Sequence, residues 1–202
     1  MIAIIDYGVG NLFSLQSSFA RIGAEAVVTG DPGVIAKAER VILPGVGAFE
    51  DAARALRESG LEDVVKTAAK SGKPLLGVCL GMQMLFEKSY EYGEHEGLGL
   101  LAGSVRPIAP MITPGLKVPQ IGWNALHFVR ESPLFKYVSE GSHVYFVHSY
   151  AAVGCGDSLI ATTEYGAELT AAVGLGNVYG CQFHPEKSGS VGLDILRAFC
   201  EL

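Results

Sequence analysis

At 202 residues, with 49% apolar and 18% charged side chains, the chain is long enough to bury a sizeable core and too hydrophobic for disorder. Its formal net charge of -6 disfavours a nonspecific grip on nucleic-acid phosphates or on an anionic membrane surface. The opening MIAIIDYGVG has no basic segment and too short an apolar run for a signal peptide, and no later stretch could cross a bilayer, so a cytoplasmic protein is expected.

Ile2 to Ile5 is a continuous apolar run that stops at Asp6 and Gly8, the pattern of a strand buried on both faces. Leu12, Leu15, Phe19 and Ile22 then recur at helical spacing as far as Gly23. Short strands follow at Ala26 to Val28 and Val41 to Leu43, the second ending in Pro44-Gly45-Val46-Gly47. Helical patterns cover Phe49 to Arg57 and Leu61 to Ala69. Pro74 to Val78 is a fourth strand that runs straight into Cys79, and the segment after it reads as a helix through Phe86.

From Val105 to Val178 the chain is richer in Gly, Pro and aromatic residues, with strand-like runs at Tyr145 to Val147 and Ala171 to Val173. A closing helix is predicted over Val191 to Phe199. This rhythm predicts the α/β class: a single doubly wound, mostly parallel sheet flanked by helices, with an antiparallel extension. With no linker or repeat, residues 1–202 read as one domain.

Cys79, Cys155, Cys181 and Cys200 are scattered, with no CxxC spacing to suggest zinc, so reduced thiols and no metal are expected. Gly77-Val78-Cys79-Leu80-Gly81 sits where a buried strand turns into a helix. Flanking glycines permit a sharp turn there, and the helix N-terminus favours thiolate and offers N–H groups to an oxyanion. The partner signal is Gly180-Cys181-Gln182-Phe183-His184-Pro185-Glu186. A cysteine nucleophile needs a base, and the base needs an orienting acceptor, which His184 and Glu186 can supply across the rigid Pro185. The Pro44-Gly45-Val46-Gly47-Ala48-Phe49 loop lies beyond another strand and could turn N–H groups toward the same crevice.

These three motifs together resemble the class I (triad-type) glutamine amidotransferase family, over nearly the whole chain. Asp6 to Asn11, Pro119-Gln120-Ile121-Gly122-Trp123-Asn124 and Tyr145-Phe146-Val147-His148-Ser149-Tyr150 are similar to its histidine-pathway branch. The resemblance implies a glutaminase with Cys79 as nucleophile, His184 as proton carrier and Glu186 as its support, working without a cofactor. It implies an oxyanion hole from Leu80 and Gly47, and glutamine held by Gln83, Glu91 and the His148-Ser149-Tyr150 backbone.

A cyclase subunit with a (β/α)8 barrel is the implied partner in a heterodimer, receiving ammonia by a channel and making imidazole glycerol phosphate and AICAR. Asn11, Gln120, Trp123, Tyr145 and Lys187 are candidates for the docking face. Because Gly45-Val46-Gly47 can turn its peptide units at low cost, the oxyanion hole is expected to complete only on partner binding. The glutaminase of another synthase, such as pyridoxal phosphate synthase, or a stand-alone cysteine hydrolase would share the same triad logic.

Overall fold

In the computed structural model, which describes residues 1–202, the apolar runs become the inner strands of one large sheet. The first half runs β1 (Ile2–Ile5), α1 (Leu12–Arg21), β2 (Ala26–Thr29), α2 (Pro32–Lys37), β3 (Arg40–Leu43), α3 (Phe49–Glu58), α4 (Glu62–Lys70), β4 (Leu75–Val78) and a short α5 (Leu80–Gln83). After these come β5 (Phe86–Ser89), β6 (His95–Glu96), β7 (Leu101–Pro107), β8 (Gln120–Ala125), β9 (His127–Phe128), β10 (His143–His148) and β11 (Tyr150–Val153). The chain closes with β12 (Leu159–Glu164), β13 (Glu168–Leu175), β14 (Val178–Cys181) and α6 (Gly189–Phe199).

Eight strands pair in the order β2-β1-β3-β4-β14-β13-β12-β9. Pairing is parallel from β2 to β14 and antiparallel from β14 to β9, the mainly parallel sheet with an antiparallel extension that the sequence predicts. The continuous apolar runs follow from burial on both faces. Ala3 and Ile5 of β1 enter one core with α3 and α4, whereas Ile2 and Ile4 enter the other with α1 and α6. Val41 and Leu43 of β3 divide from Ile42 in the same way. A strand alternates its side chains, so a two-faced core demands apolar residues at every position. No helix is long and apolar enough to cross a membrane.

Two local expectations change. The helix after Cys79 stops at Gln83 rather than Phe86, and Phe86 instead opens β5. Returning backbone takes the carbonyls that a longer helix would have used: Leu98 N–H donates to Met84 O at 2.8 Å and Leu100 N–H to Leu85 O at 2.9 Å. Met84, Leu85 and Phe86 are all buried, so their hydrophobicity fits either conformation. The unanticipated α2 is started by Asp31, whose Oδ1 accepts from Gly33 N–H at 2.7 Å, ahead of a proline in the first turn.

At its far edge the sheet ends in the two-residue β9, where Glu140 Oε2 accepts from Phe128 N–H at 2.7 Å. Around the carboxyl ends of the parallel strands lie two smaller sheets, β11-β7-β5-β6 and β10-β8. β4 and β14 are neighbours with Val78 beside Cys181, so the segments that leave them emerge side by side.

Close packing of α5 on β3 depends on Gly81, where an added Cβ would meet Leu43 O at 1.9 Å. That contact is with backbone and cannot be relieved by a rotamer change. Gly81→Ala is expected to lower the free energy of urea unfolding by about 3 kcal/mol, the upper range for overpacking.

Candidate active site

Cys79 occupies the junction of β4 and α5 with φ 54° and ψ -112°, a conformation that a non-glycine residue adopts only under constraint. Two backbone bonds impose it. Its N–H donates to Cys181 O at 2.8 Å, and its carbonyl accepts from Gln83 N–H at 3.2 Å. Leu80 is the first residue of α5, so its N–H has no acceptor within the helix. The Pro44-to-Gly47 loop lies against this elbow: a Cβ on Gly45 would stand 2.5 Å from Gly81 N. Gly47 has φ +89°, a left-handed conformation that suits glycine.

Beyond β14, His184 Nδ1 meets Glu186 Oε1 at 2.8 Å, with both side chains almost wholly buried. The turn that carries them is pinned from several sides. Ser188 Oγ donates to His184 O at 2.6 Å and accepts from Tyr145 N–H at 3.0 Å, while His184 N–H donates to Tyr145 O at 3.0 Å. Phe183 is fully buried with its ring edge-on to Phe146, which anchors the residue before the histidine. Burial alone would pull the His184 imidazole down. Hydrogen bonds and charge from Cys79 and Glu186 outweigh it and lift the pKa to about 9. Burial pushes the other three thiols, Cys155, Cys181 and Cys200, up and so holds them protonated.

Gly47, Cys79, Leu80, Gln83, Glu91, His148, Ser149, Tyr150 and His184 all line one open cleft of about 310 Å³, joined by Val46, Pro119, Val147 and Lys187. Glu186 stands behind His184, outside this lining. Gln83 uses both amide hydrogens, donating to Tyr150 O and to Gln182 Oε1 at 3.0 Å each, so only its Oε1 is left to accept from a ligand. His148 Nδ1–H donates to the same Tyr150 carbonyl at 2.8 Å. Burial, partly opposed by that bond, brings its pKa down to about 4, so it is neutral at pH 7. Glu91 Oε2 accepts from Phe49 N–H at 2.7 Å. It thereby answers the N-terminus of α3, where Ala48 provides no side-chain cap. His, Cys, Asp and Glu form no group of three or more that could hold a metal ion.

The five candidates for a docking face separate. Trp123 is half exposed and meets Tyr145 edge-on at 6.0 Å, and the exposed Lys187 holds its ammonium 5.9 Å from the Tyr145 ring, so these three form one patch beside the cleft. Gln120 corrects the expectation, because its side chain is fully buried and donates to Asn124 Oδ1 at 3.0 Å. It lies opposite His148 in the β8–β10 register, on the inward face of the pair. Asn11 is only partly exposed and turns inward, its Nδ2 donating to Glu186 Oε1 at 3.3 Å.

Gln182 was not singled out from the sequence. It is fully buried, and its Nε2 donates to Cys79 Sγ at 3.8 Å. The available signal was a polar residue between Cys181 and Phe183, both of which are core residues.

With this geometry in place, comparisons with known proteins agree on one family. Residues 3–201 match the model of the glutamine amidotransferase class-I family. The chain is 52% identical to imidazole glycerol phosphate synthase subunit HisH of Bacillus licheniformis, over 98% of this chain and 95% of that one. It is 50% identical to the protein of the same name from Geobacillus thermodenitrificans, over 98% and 94% of the two chains. The Wolinella succinogenes counterpart is 47% identical over the full length of both. Among solved structures, a glutamine amidotransferase crystal structure superposes with a TM-score of 0.77 at 23% identity, covering 100% of this chain and 98% of the other. PurLQS from Thermotoga maritima gives 0.75 at 21%, covering 99% and 97%. At those identities the likeness is one of fold.

His184 also gives the fold a pH dependence of definite sign. Its folded pKa of about 9 exceeds the ordinary 6.5, so protonation favours the folded chain. That contribution is complete below about pH 6.5 and is lost as pH rises through about 9. Urea unfolding across this window should show stability declining in the wild type, and His184→Gln should flatten the decline.

Proposed function

The chain belongs to the class-I glutamine amidotransferase family, and we propose that it hydrolyses glutamine to glutamate and ammonia as the glutaminase subunit of an imidazole glycerol phosphate synthase in histidine biosynthesis. The observation that carries the chemistry is a constrained Cys79 sharing one cleft with His184, which Glu186 supports from behind. Residues 1–202 act as one amidotransferase domain, and the reaction takes place in the cytoplasm.

Cys79 Sγ attacks the carboxamide carbon of glutamine, and the carbonyl oxygen takes up the negative charge. The Leu80 N–H and an N–H of the Gly47 loop stabilise that oxyanion. His184, protonated at neutral pH, donates a proton to the departing nitrogen, releasing ammonia and leaving a γ-glutamyl thioester. Water, activated by the now neutral imidazole, cleaves the thioester to glutamate, freeing the Cys79 sulfur and returning a proton to His184. Glu186 fixes the ring and balances its charge throughout.

Substrate recognition follows from the free atoms of the cleft. Glutamine carries an ammonium and a carboxylate besides its amide. Gln83 Oε1 and the Glu91 carboxylate are acceptors for its N–H groups. The backbone of Ser149 and Tyr150 addresses its α-carboxylate, with His148 bracing the Tyr150 carbonyl from behind.

A cyclase subunit built as a (β/α)8 barrel is the partner, taking ammonia through an internal channel to form imidazole glycerol phosphate and AICAR. It docks over the Trp123, Tyr145 and Lys187 patch, where aromatic area and a cation suit an interface core and its rim. Asn11 serves from behind this face through Glu186. The Gly47 loop completes the oxyanion hole when the cyclase and its ribonucleotide ligand are bound.

The test is glutamate release from glutamine by the chain alone, then with a histidine-pathway cyclase and its ligand. A low basal rate that rises steeply with both supports the reading, and no release in either condition overturns it. In the complex, Cys79→Ala should cut glutamine-driven synthesis by about 10⁴-fold or more while leaving ammonium-driven synthesis intact. Glu186→Gln should be milder by about two orders of magnitude, as is usual for the orienting member of a triad.

A further inference from the structure

We infer that Gln182 is a positioning residue for the nucleophile: its buried amide holds the Cys79 sulfur in the thiolate form, and is itself oriented by Gln83 and the Tyr150 carbonyl. This rests on Cys79 being the nucleophile of the proposed glutaminase.

The direction of each bond is fixed by chemistry. Tyr150 O is a backbone carbonyl and can only accept, so the Gln83 group that faces it at 3.0 Å is the NH₂. The second hydrogen of that NH₂ goes to the neighbouring amide at 3.0 Å, which must present its oxygen. Gln182 therefore turns its own NH₂ the other way, onto Cys79 Sγ at 3.8 Å. No step in the chain can be reversed without setting two donors or two acceptors face to face.

A buried primary amide is costly unless its polar atoms are answered, and Gln182 lies fully buried between two core side chains, Cys181 and Phe183. Neutral thiols accept hydrogen bonds weakly, whereas a thiolate accepts them well. The amide thus favours the ionised sulfur over both the thiol and the thioester. A sulfur favoured as thiolate is more often ready to attack, and is a better leaving group when water cleaves the intermediate. Both steps belong to turnover, so kcat is the quantity through which Gln182 acts on Cys79.

The experiment is the pH dependence of Cys79 alkylation by iodoacetamide in the full-length chain, followed at the Cys79 peptide by mass spectrometry, with Cys79→Ala as the background control. Gln182→Met keeps the length of the side chain and removes the donor to Cys79 together with the acceptor for Gln83. Its alkylation midpoint should rise by about one pH unit, as the loss of a hydrogen bond to a charged group predicts. In the complex with a cyclase its kcat for glutamine should fall up to about tenfold at pH values below the midpoint and recover as pH rises through it.

A role limited to packing would lower activity and leave the midpoint where it is, and that result overturns the inference. Should Gln182→Met fail to fold, Gln182→Leu removes the donor in a side chain of similar volume. Its midpoint must rise likewise, and an unchanged value overturns the inference equally. Alkylation needs no glutamine, so this readout holds even where wild-type chain with cyclase releases no glutamate, the separate result that would defeat the glutaminase reading.

Discussion

Parallel pairing of β4 with β14, in a register that sets Val78 beside Cys181, brings together two segments far apart in the sequence. Cys79 follows one strand and His184 the other, and the Cys79 N–H closes the ladder on the Cys181 carbonyl. Every distance in the cleft depends on that last rung. A slip of one residue would turn Val78 and Cys181 to the opposite faces of the sheet and separate sulfur from imidazole. The strands are held in place by the cores on both sides, so the accuracy of the site is a property of the whole sheet.

The elbow is where this rigidity is used. A cysteine at φ 54° and ψ -112° stores about 1–3 kcal/mol of backbone strain, which persists only because its surroundings leave no alternative. Leu43 and the Pro44-to-Gly47 loop press against the first turn of α5 so closely that Gly45 and Gly81 have no room for a Cβ. Gly45 and the Cys79 elbow are therefore packed as one unit, while Gly47, with open space around it, keeps the freedom to turn. His184 is secured differently, by accepting from Ser188 Oγ and donating its N–H to the Tyr145 carbonyl rather than by strain.

Much of this could be read from the sequence because the chemistry needs unusual residues at fixed offsets. The strand-to-glycine junctions at Gly77 to Gly81 and Pro44 to Gly47, and the His-Pro-Glu unit, announce themselves, and all three come to one end of the sheet. Strand and helix order was equally legible, since buried parallel strands are continuous apolar runs. What escaped was set by long-range contacts. The run from Met82 to Phe86 is apolar in a way that serves a helix or a strand, and only the returning backbone at Leu98 and Leu100 decides between them. Gln120 looks exposed by type but faces inward by register. Gln182 was hidden for the same reason, since glutamine is exposed by type, and its partners, Gln83 and Cys79, lie about a hundred residues away.

The sheet's short terminal strand has a consequence for how the molecule can join others. Open edges invite backbone addition by a further strand, the usual route to swapping and fibre growth. β9 offers two residues, and the amide of Phe128 is already taken by the Glu140 carboxylate, with His127 Nδ1 held 3.0 Å from the same side chain. Extension there would have to displace a charged acceptor and would gain almost no ladder in return. Strand addition is therefore closed at this end of the sheet, which leaves β2 as the edge of the large sheet where a further strand could pair.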